Sequence, residues 1–122
     1  MVKARIICRL FPTEDEEKVV AAIRVFFPEA RLERRGEYIY GETETLDTFL
    51  DAIGREGIAA RALSVMKRGK KHSTITFPIS REAATAGRIS FGTEGEFPPI
   101  WVEVVEGVED FIAALRALAG LE

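Results

Sequence analysis

The side chains that most readily carry out chemistry are scarce in this sequence. His72 is the only histidine and Cys8 the only cysteine, 64 positions apart. A Cys–His couple would therefore depend on the fold bringing them together, and no nucleophile motif surrounds either residue. A lone cysteine makes no internal disulfide and no thiolate metal site, and Cys8 reads as a small core residue. Gly69-Lys70 resembles the end of a phosphate-cradling loop, but Ser64 stands where that loop needs its first glycine. Asp47 and Asp51 lie at i and i+4 of a helical segment, a spacing that can hold Mg²⁺ weakly but that a solvated helix face explains better. The expectation is a protein with no catalytic residues, no metal site and no cofactor.

Positive charge is the local anomaly. From Arg55 to Thr93 there are eight Lys/Arg against two Glu, inside a chain whose net charge is −3. No acid occurs between Gly57 and Arg81. Association with phosphates depends on the nearby field and not on whole-molecule charge. Lys67, Arg68, Lys70, Lys71, His72, Arg81 and Arg88 are therefore the candidate nucleic-acid-binding residues, the cations for phosphates and His72 for stacking. Tyr38 and Tyr40, two apart on one strand face, are further stacking candidates. The same residues have explanations without a ligand: cations at a helix C-terminus complement its dipole, charged turns are solvated, and tyrosines cap the rim of a core.

The elements that must position these residues follow from periodicity. Lys3 to Leu10 alternates, with Ala4, Ile6, Cys8 and Leu10 on one face, and predicts a half-buried strand. Thr13-Glu14-Asp15-Glu16 has the Thr-x-x-Glu form of a capping box, which opens a helix from about Glu14 to Phe27 with its acids in the first turn. Arg31–Arg34 and Glu37–Thr43 read as a hairpin turning at Arg35-Gly36. Thr45 caps a second helix that Gly57 ends, and Ile58–Arg68 forms a third that stops at Gly69. A strand over 72–77 stopped by Pro78, a short helix over 81–86 capped by Ser80, strands at 88–91 and 100–105, and a final helix through Leu118 complete the chain.

This order lacks the regular strand–helix alternation of a doubly wound sheet. It predicts an α+β two-layer sandwich, a mostly antiparallel sheet with helices on one face, as one domain over residues 1–122. No apolar run reaches the ~20 residues of a membrane span, and the first residues lack a signal-peptide core, so the expected location is cytoplasmic, away from any membrane.

Leu10 to Val19, Phe26-Phe27-Pro28, Arg61-Ala62-Leu63, Thr74 to Phe77 and Ala83 to Phe91 together resemble an archaeal family whose members are described as predicted RNA-binding proteins or predicted exosome subunits. The resemblance implies an α+β fold similar to that of the large-subunit ribosomal protein that binds 5S rRNA. No catalytic residues come with it. The first functional expectation is a non-catalytic RNA-binding accessory module. The alternative is a protein-interaction or dimerisation module, in which an uncovered sheet face or the acidic 94–110 region docks a partner or a second copy. An enzyme with an unrecognised site is third.

Overall fold

The computed structural model describes residues 1–121. Six strands, β1 (Lys3–Arg9), β2 (Arg31–Arg35), β3 (Tyr38–Thr43), β4 (Lys70–Lys71), β5 (Thr74–Ile79) and β6 (Ile100–Glu106), form one sheet in the order β2-β3-β1-β6-β5-β4. Every neighbouring pair is antiparallel. The helices are α1 (Glu16–Phe26), α2 (Asp47–Glu56), α3 (Ala59–Arg68), α4 (Arg81–Thr85) and α5 (Val108–Leu118). This is the expected α+β sandwich.

Alternation along the strands decides where the helices go. Ala4, Ile6, Cys8, Ile39, Ile75, Phe77, Val102 and Val104 all point to one face and are buried. The helices cover that face: Phe49 of α2 stacks on Phe77 of β5 at 5.5 Å, and Phe77 on Phe111 of α5 at 6.3 Å. Phe26 and Phe27 at the end of α1 close on Phe49 at 6.1 and 5.6 Å. Such buried aromatic contacts carry much of a small domain's packing energy. Gly57 ends α2 in the left-handed conformation expected of it, with φ 67°.

Several local expectations need correction. The cap of α1 is Asp15, whose carboxylate accepts from the Glu17 amide at 2.9 Å, and not Thr13. Glu14 therefore lies outside the helix. The hairpin turns at Gly36-Glu37, one residue later than expected, and the helix expected to be capped by Thr45 begins after Leu46, with Thr45 Oγ1 accepting from the Asp47 amide at 3.2 Å.

The strand expected over 72–77 runs from Thr74 to Ile79 and passes through Pro78, while 88–91 forms no strand. Both departures have one cause. Along the outer edge of β5 the Thr76 amide donates to Gly69 at 3.0 Å and the Ser80 amide to Ser90 at 2.8 Å. Pro78 falls between them, on an edge where it has no donor to offer, so the strand tolerates it and the 88–91 segment cannot extend the ladder. Gly69 itself is required: a Cβ there would collide with the Thr76 carbonyl oxygen.

Candidate functional site

The structure divides the seven expected site residues among three places. Lys67 and Arg68 occupy the last turn of α3, and Lys70 and Lys71 are the whole of β4, the strand at one edge of the sheet. All four are exposed. Each pair has a structural reason to be basic. Cations complete the helix dipole, and lysines on an edge strand discourage pairing with another chain. His72 is exposed in the turn between β4 and β5, and its φ of 56° places it in the left-handed region.

Arg88 is exposed but distant from this group. Lys70 pairs with Ile75, whereas Ser90, two residues after Arg88, meets Ser80 just past the end of β5, and Ile75 and Ser80 are about 16 Å apart at the usual strand rise.

Arg81 is a correction. Its side chain is 4 % exposed and its Nη1 donates to both carboxylate oxygens of Glu14, at 2.8 and 2.9 Å. The same nitrogen donates to the Arg9 carbonyl at 2.8 Å, and Nε donates to the Pro98 carbonyl at 2.7 Å. Glu14 also accepts from the Phe11 amide at 3.0 Å. Arg81 is thus an internal clamp joining the end of β1, the entry to α1 and the loop before β6. It is unavailable to phosphate. The acid that sequence reading assigned to a helix dipole is its partner.

The surface that sequence reading underestimated is the uncovered face of the sheet. Tyr38 and Tyr40 lie there as expected, with ring centroids 6.0 Å apart. The register adds what the sequence could not: Tyr40 pairs with Ile7, Ile7 with Trp101 and Trp101 with Pro78, an apolar row across four strands. Trp101 is 38 % exposed, Ile7 37 % and Tyr38 36 %. Beside this row runs a charged one, Arg31, Glu42, Arg5 and Glu103, also in register. Tyr40, Ile7 and Trp101 of the first row and all four residues of the second line a concavity of about 900 Å³.

Most cations of this face are paired with acids. Arg35 meets Glu33 at 3.1 Å, Arg31 meets Glu44 at 3.7 Å and Glu42 at 4.0 Å, Lys3 meets Glu42 at 3.9 Å and Arg9 meets Glu37 at 4.0 Å. Arg35 also lies over the Tyr40 ring at 4.6 Å. Arg5 stands in register between Glu42 and Glu103. Exposed pairs such as these stabilise the fold little, but they cancel the field a polyanion would feel.

Cys8 is on the buried face, as expected. Burial pushes its thiol up from 9.0 to about 11, with Arg81 opposing the rise and Glu14 adding to it. Among the described residues, no group of three or more His, Cys, Asp or Glu is placed to hold a metal ion, and no helix is long and apolar enough to cross a membrane.

Comparison with known proteins gives the family. No family model matches the chain. A UPF0201 protein of Metallosphaera sedula is 31 % identical over 126 residues, covering 93 % of this chain and 88 % of that one. The chain belongs to the archaeal UPF0201 family. A UPF0200/UPF0201 protein of Archaeoglobus fulgidus is 35 % identical over 95 residues, which are 76 % of this chain but only 29 % of that longer one. Among solved structures, an uncharacterised UPF0201 protein superposes with a TM-score of 0.79 at 34 % identity, covering 84 % of this chain and 80 % of that one.

Proposed function

We propose that this UPF0201 chain is a non-catalytic, cytoplasmic protein-association module that docks through the open face of its sheet. The observation that carries this reading is the composition of that face, an exposed apolar row flanked by cations most of which have carboxylate partners. Protein interfaces combine an apolar centre with a polar rim in this way. A surface for phosphates needs uncompensated cations. The Archaeoglobus fulgidus relative gives further support, since its name joins two families and the UPF0201 match fills only part of its length. A module that works against another protein unit has reason to be joined to one.

The test is a photo-crosslinking side chain at Tyr38, irradiated in an extract of the source cells. Adducts that protease removes and nuclease leaves intact are the expected result, and they should vanish with Trp101→Glu. Nuclease-sensitive adducts, or none, would overturn the reading.

One observation favours a second reading, RNA binding at the other edge of the sheet: among the described residues Lys67, Arg68, Lys70 and Lys71 form no ion pairs. This is the function that the family resemblance implied, together with an exosome link and a likeness to the ribosomal protein that binds 5S rRNA. If three of these cations contact single-stranded RNA, log affinity falls with log salt at a slope of about −2. Absence of retention at low salt removes this reading.

A further inference from the structure

An interface that recognises its own copy must satisfy a condition that one recognising a different protein need not meet. In a two-fold dimer each residue i that meets j implies a second contact of j with i, so the surface has to complement itself. The charged row of the open face has this property. Arg31, Glu42, Arg5 and Glu103 alternate in sign across β2, β3, β1 and β6. Laid on a copy in the same strand order, every charge would meet its like. Laid on a copy in reversed order, Arg31 meets Glu103 and Glu42 meets Arg5, twice each.

Resting on the reading of the open face as a docking surface, we infer that its occupant is a second copy of this chain, packed face to face about a two-fold axis that is parallel to the strands and passes between Glu42 and Arg5. Such an axis reverses strand order while keeping strand direction, which is the aligned geometry of a β-sandwich. The same reversal sets Tyr40 against the second copy's Ile7. It also sets Trp101, whose indole N–H is a donor, against the second copy's Glu33. The apolar row is thus covered and its flanking acid is used.

With the axis between β3 and β1, four strands of each copy overlap, β2, β3, β1 and β6. Strands ~4.8 Å apart and same-face residues ~7 Å apart give a shared footprint of roughly 20 by 25 Å, about 500 Å² per partner and at the small end of specific interfaces. The dimer would stack helices, sheet, sheet and helices. The Lys67–Lys71 edge would remain outside it.

The test uses two variants that fail alone and succeed together. Arg5→Glu places two acids at each of two symmetry-related contacts, and Glu42→Arg places two bases there. By sedimentation equilibrium the wild-type chain should be a dimer at micromolar concentration, and each variant should associate about tenfold more weakly or worse. An equimolar mixture should form a heterodimer of near wild-type affinity, because each mutant residue then meets its opposite. Emission from Trp101, the sole tryptophan, should shift to the blue as the dimer forms. Arg31→Glu with Glu103→Arg is a second pair with the same logic, should either first variant fold poorly.

A dimer that neither variant weakens, or variants that weaken without rescue on mixing, would overturn the inference. A monomeric wild-type chain would overturn it as well. In each of these cases protein adducts at Tyr38 to a different polypeptide would leave the docking reading standing, whereas nuclease-sensitive adducts would remove both.

Discussion

The two faces of the sheet are built from the same strands by alternate residues, yet they collect different chemistry. The covered face gathers Ile6, Cys8, Ile39, Phe77, Val102 and Val104, all almost fully buried, and meets the helices through stacked phenylalanines. The open face gathers tyrosine, tryptophan, isoleucine and a balanced set of arginines and glutamates. On the covered side the buried strand residues are apolar but for Thr43, whose hydroxyl donates to the Thr45 carbonyl at 3.1 Å, which suits permanent burial within one chain. On the open side each apolar residue has a charge beside it, which suits a surface that must stay in water until a partner arrives. An exposed aromatic row with matched charges is hard to explain as a solvated face alone.

Breaking the covered face should have the largest effect. Phe77→Ala leaves a cavity between Phe49 and Phe111 and should destabilise the fold by about 3–5 kcal/mol in chemical denaturation. Trp101→Ala, on the opposite face of the neighbouring strand, should change the stability of the dilute chain by about 1 kcal/mol or less. Equal losses from the two would mean that the faces do not differ as argued.

The clamp at the edge of the covered face comes next. Arg81→Met leaves the Glu14 carboxylate buried without its cation and should cost about 3 kcal/mol in a urea titration. Adding Glu14→Leu should restore a large part of that loss, since replacing both partners removes the buried charge. If the single and double variants are equally unstable, the clamp contributes by packing and not by charge compensation.

Cys8 gives the covered face a pH signature. The raised thiol pKa means that between about pH 9 and 11 the folded chain keeps a proton that the unfolded chain releases. Stability from this group is complete below pH 9 and is lost as pH rises towards 11, by about 2–3 kcal/mol in all. Cys8→Ala should remove that part of the alkaline decline. Native Cys8 should also resist thiol reagents near neutral pH, because it is both buried and protonated.

How much of this could be read in the sequence depended on whether the deciding contact was local. Periodicity placed Ile6 and Cys8 inward, and Tyr38 and Tyr40 together on one face. Gly57 announced the end of α2 because one residue's backbone freedom settles that question. Pairing order is a different kind of information. Nothing within β1 or β6 states that they are neighbours, so the row from Tyr40 through Ile7 to Trp101 was invisible although each residue's face was legible. Arg81 was misjudged for the same reason. Its partner lies 67 positions earlier, and an arginine directly after a helix cap looks solvated until the fold closes over it. Pro78 misled in the other direction, since proline stops a central strand but is tolerated where the strand's donors face an open edge.

The smallest expected effect concerns the basic edge, and it separates the two surfaces most directly. His72 holds a left-handed backbone conformation in the turn between β4 and β5, which is unfavourable for a side chain with a Cβ and free for glycine. His72→Gly relieves that strain but adds freedom to the unfolded chain, so the net gain should be about 0.5 kcal/mol, visible as a slight rise in melting temperature. If the turn serves only to return the edge strand, the variant should also leave RNA retention, dimerisation and Trp101 emission unchanged. A histidine that stacks a base is worth about 1–3 kcal/mol of binding. Loss of RNA affinity in a chain made slightly more stable would therefore assign the strain at His72 to binding. The basic edge would then be the functional surface in place of the open face.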